Sequence, residues 1–167
     1  SGLFPDIKTQ AQAVVKILAG KELGLSPFES MKNIYLVNGK LAIQANAMAS
    51  LVKRSKKYDY RVDKLDDQEC SISFYNGSTE KRESLGVSTF TIKDAAKAGI
   101  VNGANWKSYP KNMLFARALS NGVRFYCPDA VCGWYTTDEM QDIVPEPSKT
   151  TIEITKEGDV VNGQTSV

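Results

Sequence analysis

Histidine is absent from all 167 residues. That removes the Ser-His-Asp and Cys-His nucleophile pairs and the side chain that most often moves protons near neutral pH. Cysteine is scarce. Cys70, Cys127 and Cys132 are an odd set with no C-x-x-C spacing, and without histidine a zinc site would need carboxylate ligands. Free thiols in a reducing compartment are therefore expected. No Walker-type or G-x-G-x-x-G loop occurs. No apolar run approaches the ~20 residues that cross a bilayer. The start, Ser1-Gly2-Leu3-Phe4-Pro5-Asp6, lacks the basic-then-apolar order of a secretory signal, and Ser1-Gly2 in place of Met reads as processing or a tag scar. The expectation is a cytoplasmic protein, not an enzyme, with no cofactor, no metal site and no membrane partner.

What is present suits one globular domain. A chain near this size hides roughly 70% of its unfolded surface, and 42% hydrophobic with 24% charged residues is enough to build that core. The net charge of +2 is unevenly spread. Residues 1–142 hold 19 Lys and Arg against 15 Asp and Glu, whereas residues 143–167 hold 2 against 4. From Ile143 onward, prolines, threonines, glycines and acids show little apolar periodicity, so a flexible acidic tail is expected after a 1–142 core.

Periodicity supplies the elements. Ile7, Ala11, Val14, Val15 and Leu18 are spaced for a helix over 6–20, with Gly20 or Gly24 as its stop. Ser26-Pro27-Phe28-Glu29 is a capping box with Pro at the first helical position. Ile34–Val37, Asn38-Gly39 and Lys40–Ile43 spell a hairpin with a type I′ turn. A helix over 45–56 has Ala45, Met48, Leu51 and Val52 on one side, with Asn46, Ser50, Lys53 and Lys57 on the other. A further strand is expected over Tyr58–Leu65. Cys70, Ile72 and Phe74 alternate with Ser71, Ser73 and Tyr75, and Asn76-Gly77 opens a hairpin whose return runs through Leu85, Val87 and Thr89. Thr91-x-x-Asp94 caps a short helix that Gly99 ends. Pro110 begins the longest amphipathic helix, which Pro128 stops. Its apolar face is expected at Phe115, Ala118, Leu119, Gly122, Phe125 and Tyr126. The fold class is α+β, an antiparallel sheet of hairpins packed against a long helix.

Three groups of residues carry candidate chemistry. Lys53, Arg54, Lys56, Lys57 and Arg61 interleave with Tyr58 and Tyr60, a pattern suited to a phosphate backbone with bases to stack on. A solvated helix end complementing its own dipole is the plainer alternative. Arg117, Ser120, Asn121 and Arg124 share one face of the long helix. Two readings stand side by side there: a row of phosphate contacts, or arginines salt-bridged to carboxylates of the sheet. Trp106 and Tyr109 flank Lys107, with Lys111 just beyond, and serve either as stacking platforms or as loop anchors. Asp63, Asp66, Asp67 and Glu69 could hold Mg²⁺ in a nuclease, but Asp66-Asp67 falls at an expected turn. The D/E-x-K triplet of restriction-type nucleases occurs only as Asp6-Ile7-Lys8.

The order of these pieces resembles the RecT/Redβ group of phage-type single-strand DNA annealing proteins. Ala19-Gly20-Lys21-Glu22-Leu23-Gly24-Leu25, the run Leu41 to Tyr58, and Asn105-Trp106-Lys107-Ser108-Tyr109-Pro110-Lys111-Asn112-Met113-Leu114 through Arg124 carry the likeness, which spans about Gln10 to Glu139. The resemblance implies an α+β core with a positively charged groove. It implies homo-oligomeric rings or filaments that bind single-stranded DNA and the annealed duplex without nucleotide hydrolysis. A phage exonuclease or a host single-strand-binding protein would be further partners. Lys53, Arg54, Lys57, Arg117 and Arg124 would fall on groove-facing elements, and Trp106 and Tyr109 match the group's aromatic positions.

Overall fold

A computed structural model describes residues 4–77 and 82–142. The acidic tail expected over 143–167 lies outside the described residues, as does the Ser1-Gly2 start.

Helix α1 (Gln10–Glu22) begins four residues later than the periodicity suggests, because Thr9 and Gln12 form a reciprocal capping box there. Gly20 lies inside α1 rather than ending it. A Cβ at Gly20 would come within 1.9 Å of Ser30 Oγ, so the missing side chain lets the next helix approach. Gly24, at φ +70°, makes the left-handed turn that ends the segment. The expected apolar side of α1 faces outward, with Val14, Val15 and Leu18 exposed to 53%, 47% and 57%. Lys16 is buried in their place. Its ammonium binds Asp6 and the Met31 carbonyl, each at 2.9 Å, and lies 5.2 Å from the centre of the Tyr35 ring.

Helix α2 (Pro27–Asn33) carries the expected Ser26–Glu29 capping box. Strands β1 (Ile34–Val37) and β2 (Lys40–Ile43) pair antiparallel around Asn38 and Gly39, whose φ values of 51° and 75° fit the type I′ turn. Helix α3 (Ala45–Arg54) buries Ala47, Met48, Leu51 and Val52. Strands β3 (Tyr58–Leu65), β4 (Glu69–Asn76) and β5 (Glu83–Thr91) form an antiparallel sheet in that order. The Asp66 carboxylate accepts from the Gln68 and Glu69 amides at 2.8 and 2.9 Å, which shapes the β3–β4 turn. Residues 78–81 of the β4–β5 connection lie outside the described set.

The register pairs Cys70 with Phe90, Ile72 with Ser88 and Phe74 with Gly86. Directly opposed residues point the same way, so this row faces the core while Val87 and Thr89 turn out. Helix α4 (Ile92–Lys97) has the Thr91–Asp94 box and stops at Gly99. Helix α5 (Ala104–Ser108) inserts Trp106 into the core. Helix α6 (Pro110–Tyr126) lies across the inner face of the sheet. At Gly122 an added Cβ would sit 2.1 Å from the Phe74 ring, and Ser88 Oγ donates to the Ala118 carbonyl at 2.8 Å. The buried side of α6 runs through Met113, Leu114, Ala118, Leu119 and Val123. Phe125, expected on that side, is 72% exposed because the helix is rotated to bring Gly122 and Ala118 against the strands.

Helix α7 (Pro128–Val131), strand β6 (Tyr135–Thr136) and helix α8 (Thr137–Asp142) complete the described chain. Strand β6 adds to β2 in parallel, pairing Ala42 with Tyr135 and Ile43 with Thr136. The class is α+β, as the periodicity indicates. The strands form two separate three-stranded sheets rather than one, and the second is closed by a segment from the far end of the described chain.

Candidate nucleic-acid interface

Arg117, Ser120, Asn121 and Arg124 do share a face of α6, and α8 covers it. Thr136 and Glu139 cap α8 reciprocally: Thr136 Oγ1 accepts from the Glu139 amide at 3.3 Å, and the Glu139 carboxylate accepts from the Thr136 amide at 2.9 Å. The same carboxylate, 1% exposed, receives Arg124 Nη2 at 2.8 Å, the Ser120 hydroxyl, and Arg117 Nη1 at 3.8 Å. Burial opposes its charge, but hydrogen bonds from Arg124, Ser120 and Thr136 outweigh that and hold Glu139 below the ordinary carboxylate range. Asp142 accepts from Arg117 Nη2 at 2.6 Å and from Trp106 Nε1 at 3.3 Å. Arg124 also donates to Asn121 Oδ1 at 2.7 Å and stacks 4.8 Å from the centre of the Tyr135 ring.

Two expectations are revised by this arrangement. The arginine row holds α8 to α6: Arg117 pairs with Asp142, Arg124 pairs with Glu139 and Asn121, and the buried Arg117 Nε is left without a partner among the described residues. The salt-bridged alternative is the one observed, with carboxylates from α8 instead of the sheet. Trp106, 2% exposed and 6.2 Å from Phe90, anchors the core, so its ring is not open to a base.

The basic run sits elsewhere, at the carboxyl end of α3 and the start of β3. Lys53 pairs with Asp59 and donates to the Tyr60 carbonyl at 3.0 Å. Arg54 meets Glu29 at 3.1 Å, Lys57 meets Asp129 at 2.6 Å, and Arg61 meets Asp63 at 2.8 Å. Hydrogen bonding of the Lys57 ammonium to Asp129, and then to Tyr58, raises it above its usual range. Lys56 is exposed, with φ 56°, and has no ion pair among the described residues. All five side chains face solvent. Exposed ion pairs of this kind are weak and exchange readily for another anion.

Lys107, Tyr109 and Lys111 lie at the opposite end of α6, with Tyr109 63% exposed. The 17 residues of α6 separate the two ends by about 25 Å at 1.5 Å per residue, so the expected contacts do not form one patch. Helix α3 runs from Arg54 in the basic run toward Asn112 at the start of α6. Three depressions lie along it, of about 420, 180 and 330 Å³. The first two share Arg54 and the second and third share Asn46. Asn46, Ser50 and Arg54 are spaced four apart and form one exposed stripe. The sequence places Asn46 and Ser50 on the polar side of α3 without giving them a role. Gln44 and Asn112 carry no signal in the sequence at all, because their shared cleft arises only when α3, α6 and α8 meet.

Three of the four acidic residues of the nuclease alternative are engaged within the protein, Asp66 and Glu69 around the shared Lys64. Asp63 accepts from Arg61 and Ser73, Asp66 caps its turn, and Glu69 pairs with Lys64 at 3.0 Å. Among the described residues no cluster of acidic or thiol groups is arranged to hold a metal, and no helix is long and apolar enough to cross a membrane. Cys70 and Cys127 are buried free thiols, pushed up by burial to about 11 and about 12, and Cys132 is an exposed free thiol. No family model, curated protein or solved structure matches the chain.

Proposed function

We propose that the protein binds single-stranded DNA without sequence readout and anneals it to a complement, with neither ATP nor metal. The observation that carries this reading is the furrow along α3. It starts at Arg54, with Lys53, Lys56 and Lys57 within three residues of it in the chain, passes Ser50 and Asn46, and ends at Asn112 on α6, the residue after Lys111; Glu22, Glu29, Asp129 and Asp138 also line it. Ten residues of helix give the furrow about 15 Å, room for roughly four nucleotides at the 3.4 Å per-strand rise of B-form DNA. Cations whose own side chains are exposed, as those of Lys53, Arg54, Lys56 and Lys57 are, can exchange their counterions for a phosphate backbone, whereas the internal Arg117 and Arg124 cannot without opening the fold. The exposed Tyr109, next to Lys107 and Lys111, offers a ring on which a base can stack. The apolar side of α1, with the exposed Phe28 on α2, gives neighbouring subunits a surface for a ring or filament in which short stretches of strand align. That is where cooperative pairing would come from.

The test is fluorescence anisotropy of a labelled single strand of ~40 nucleotides, titrated at several salt concentrations without metal or ATP. Binding is expected to fall with a log–log salt slope of about −3 if four cations each release about 0.7 counterion. Lys111→Ala should weaken binding and flatten that slope by about 0.7, and adding the complement should quench a donor–acceptor pair as strands anneal. No binding at low salt overturns the reading.

A further inference from the structure

We propose that the cleft between α3, α6 and α8 is a pocket for one unstacked nucleobase, with its phosphate at Lys111. The inference rests on the nucleic-acid reading for its place at the end of the furrow, and it adds a contact to the base itself.

The cleft holds about 330 Å³, at the lower end of the roughly 300–1,000 Å³ typical of small-ligand sites. One wall is the half-buried Phe115 ring. The others carry Gln44, Asn46, Asn112, Thr137 and Asp138. A carboxamide presents a donor and an acceptor side by side, which is the pattern of a base edge. Among the described residues, the side chains of Asn46, Asn112, Thr137 and Asp138 make no hydrogen bond within the protein, so that capacity faces the cleft uncommitted. Gln44 donates to the Tyr35 hydroxyl at 3.1 Å, which leaves its carbonyl oxygen unused. Burial, with the Asp142 charge adding to it, pushes the Asp138 carboxyl up. Lys111 lies one helical turn before Phe115, is exposed, and has no ion pair among the described residues. An aromatic wall, paired amide edges and a cation one turn away together suit a nucleotide better than a sugar, which lacks a planar face, or an aliphatic ligand, which would strand the amides.

The experiment is a titration of the folded protein with deoxynucleoside 5′-monophosphates, following the side-chain amide resonances of Gln44, Asn46 and Asn112 by NMR. Deoxyribose 5-phosphate serves as the control without a base. Saturable shifts with the nucleotides and none with the sugar phosphate are expected. The exposed-site double variant Asn46→Ala/Asn112→Ala should keep its melting temperature and bind about tenfold more weakly. Absence of saturation at millimolar nucleotide, or equal response to deoxyribose 5-phosphate, overturns the pocket. Strand binding with no nucleotide response overturns the pocket alone. Nucleotide saturation without strand binding overturns the annealing reading and keeps the pocket.

Discussion

Glu139 is a charged side chain almost out of contact with water, and its carboxylate accepts from Arg124, Ser120 and Thr136 while Arg117 lies at 3.8 Å. Removing the Glu139 charge leaves Arg124 without a carboxylate in a largely desolvated site, while Arg117 keeps Asp142, and breaking such a pair costs more than the pair itself contributes. Glu139→Gln should therefore lower the free energy of unfolding by about 3–5 kcal/mol, read from urea titrations at neutral pH. The pH dependence follows from the depressed pKa of Glu139. A carboxylate held lower in the folded state than in the unfolded one stabilises fully above the ordinary carboxylate range. That contribution is lost as pH falls through the folded value. The gap between native protein and Glu139→Gln should shrink on the acid side and stay constant from neutral pH upward. Asp138 acts in the opposite sense, since burial raises it and acidification relieves its cost.

At the scale of the element, α1 is the helix whose amphipathic pattern is read inside out. Its spacing of Val14, Val15 and Leu18 is a proper apolar stripe, yet α1 packs on α2 and β1 through Gly20 and Lys16. The close approach at Gly20 and the Asp6 partner for Lys16 decide which side is buried, and neither is visible in periodicity. Val14→Ser/Leu18→Ser should leave the melting temperature within a few degrees, because both side chains already face solvent. The same variant should shift light-scattering mass toward the monomer if this face joins subunits. An unchanged mass would assign assembly to another surface. Helix α6 shows the same limit in milder form. Its bounds at Pro110 and Tyr126 follow from the prolines on either side, while its rotation follows from Gly122 lying against Phe74, which leaves Phe125 exposed.

Across the whole molecule, the segment from Tyr135 to Asp142 ties regions that are remote in sequence. It lengthens the β1–β2 sheet, neutralises Arg117 and Arg124, and receives the Trp106 indole. A chain cut before Thr137 should lose cooperative unfolding and show exposed hydrophobic surface by dye binding, since two desolvated arginines lose their counterions together. Local chemistry by itself determined the capping boxes at Ser26–Glu29 and Thr91–Asp94, the Asn38-Gly39 turn, the alternation of β4 and the bounds of α6. Each of these depends on residues within a few positions of one another. Only the tertiary structure decided that Arg117 and Arg124 face α8, that Trp106 is core, and that Arg54, Asn46 and Asn112 lie along linked depressions beside α3. Charge and aromaticity at a position state what a side chain can do. Which of its possible partners it meets depends on long-range packing, because α8, brought against α6 by the fold, carries Glu139 and Asp142 to within reach of Arg124 and Arg117.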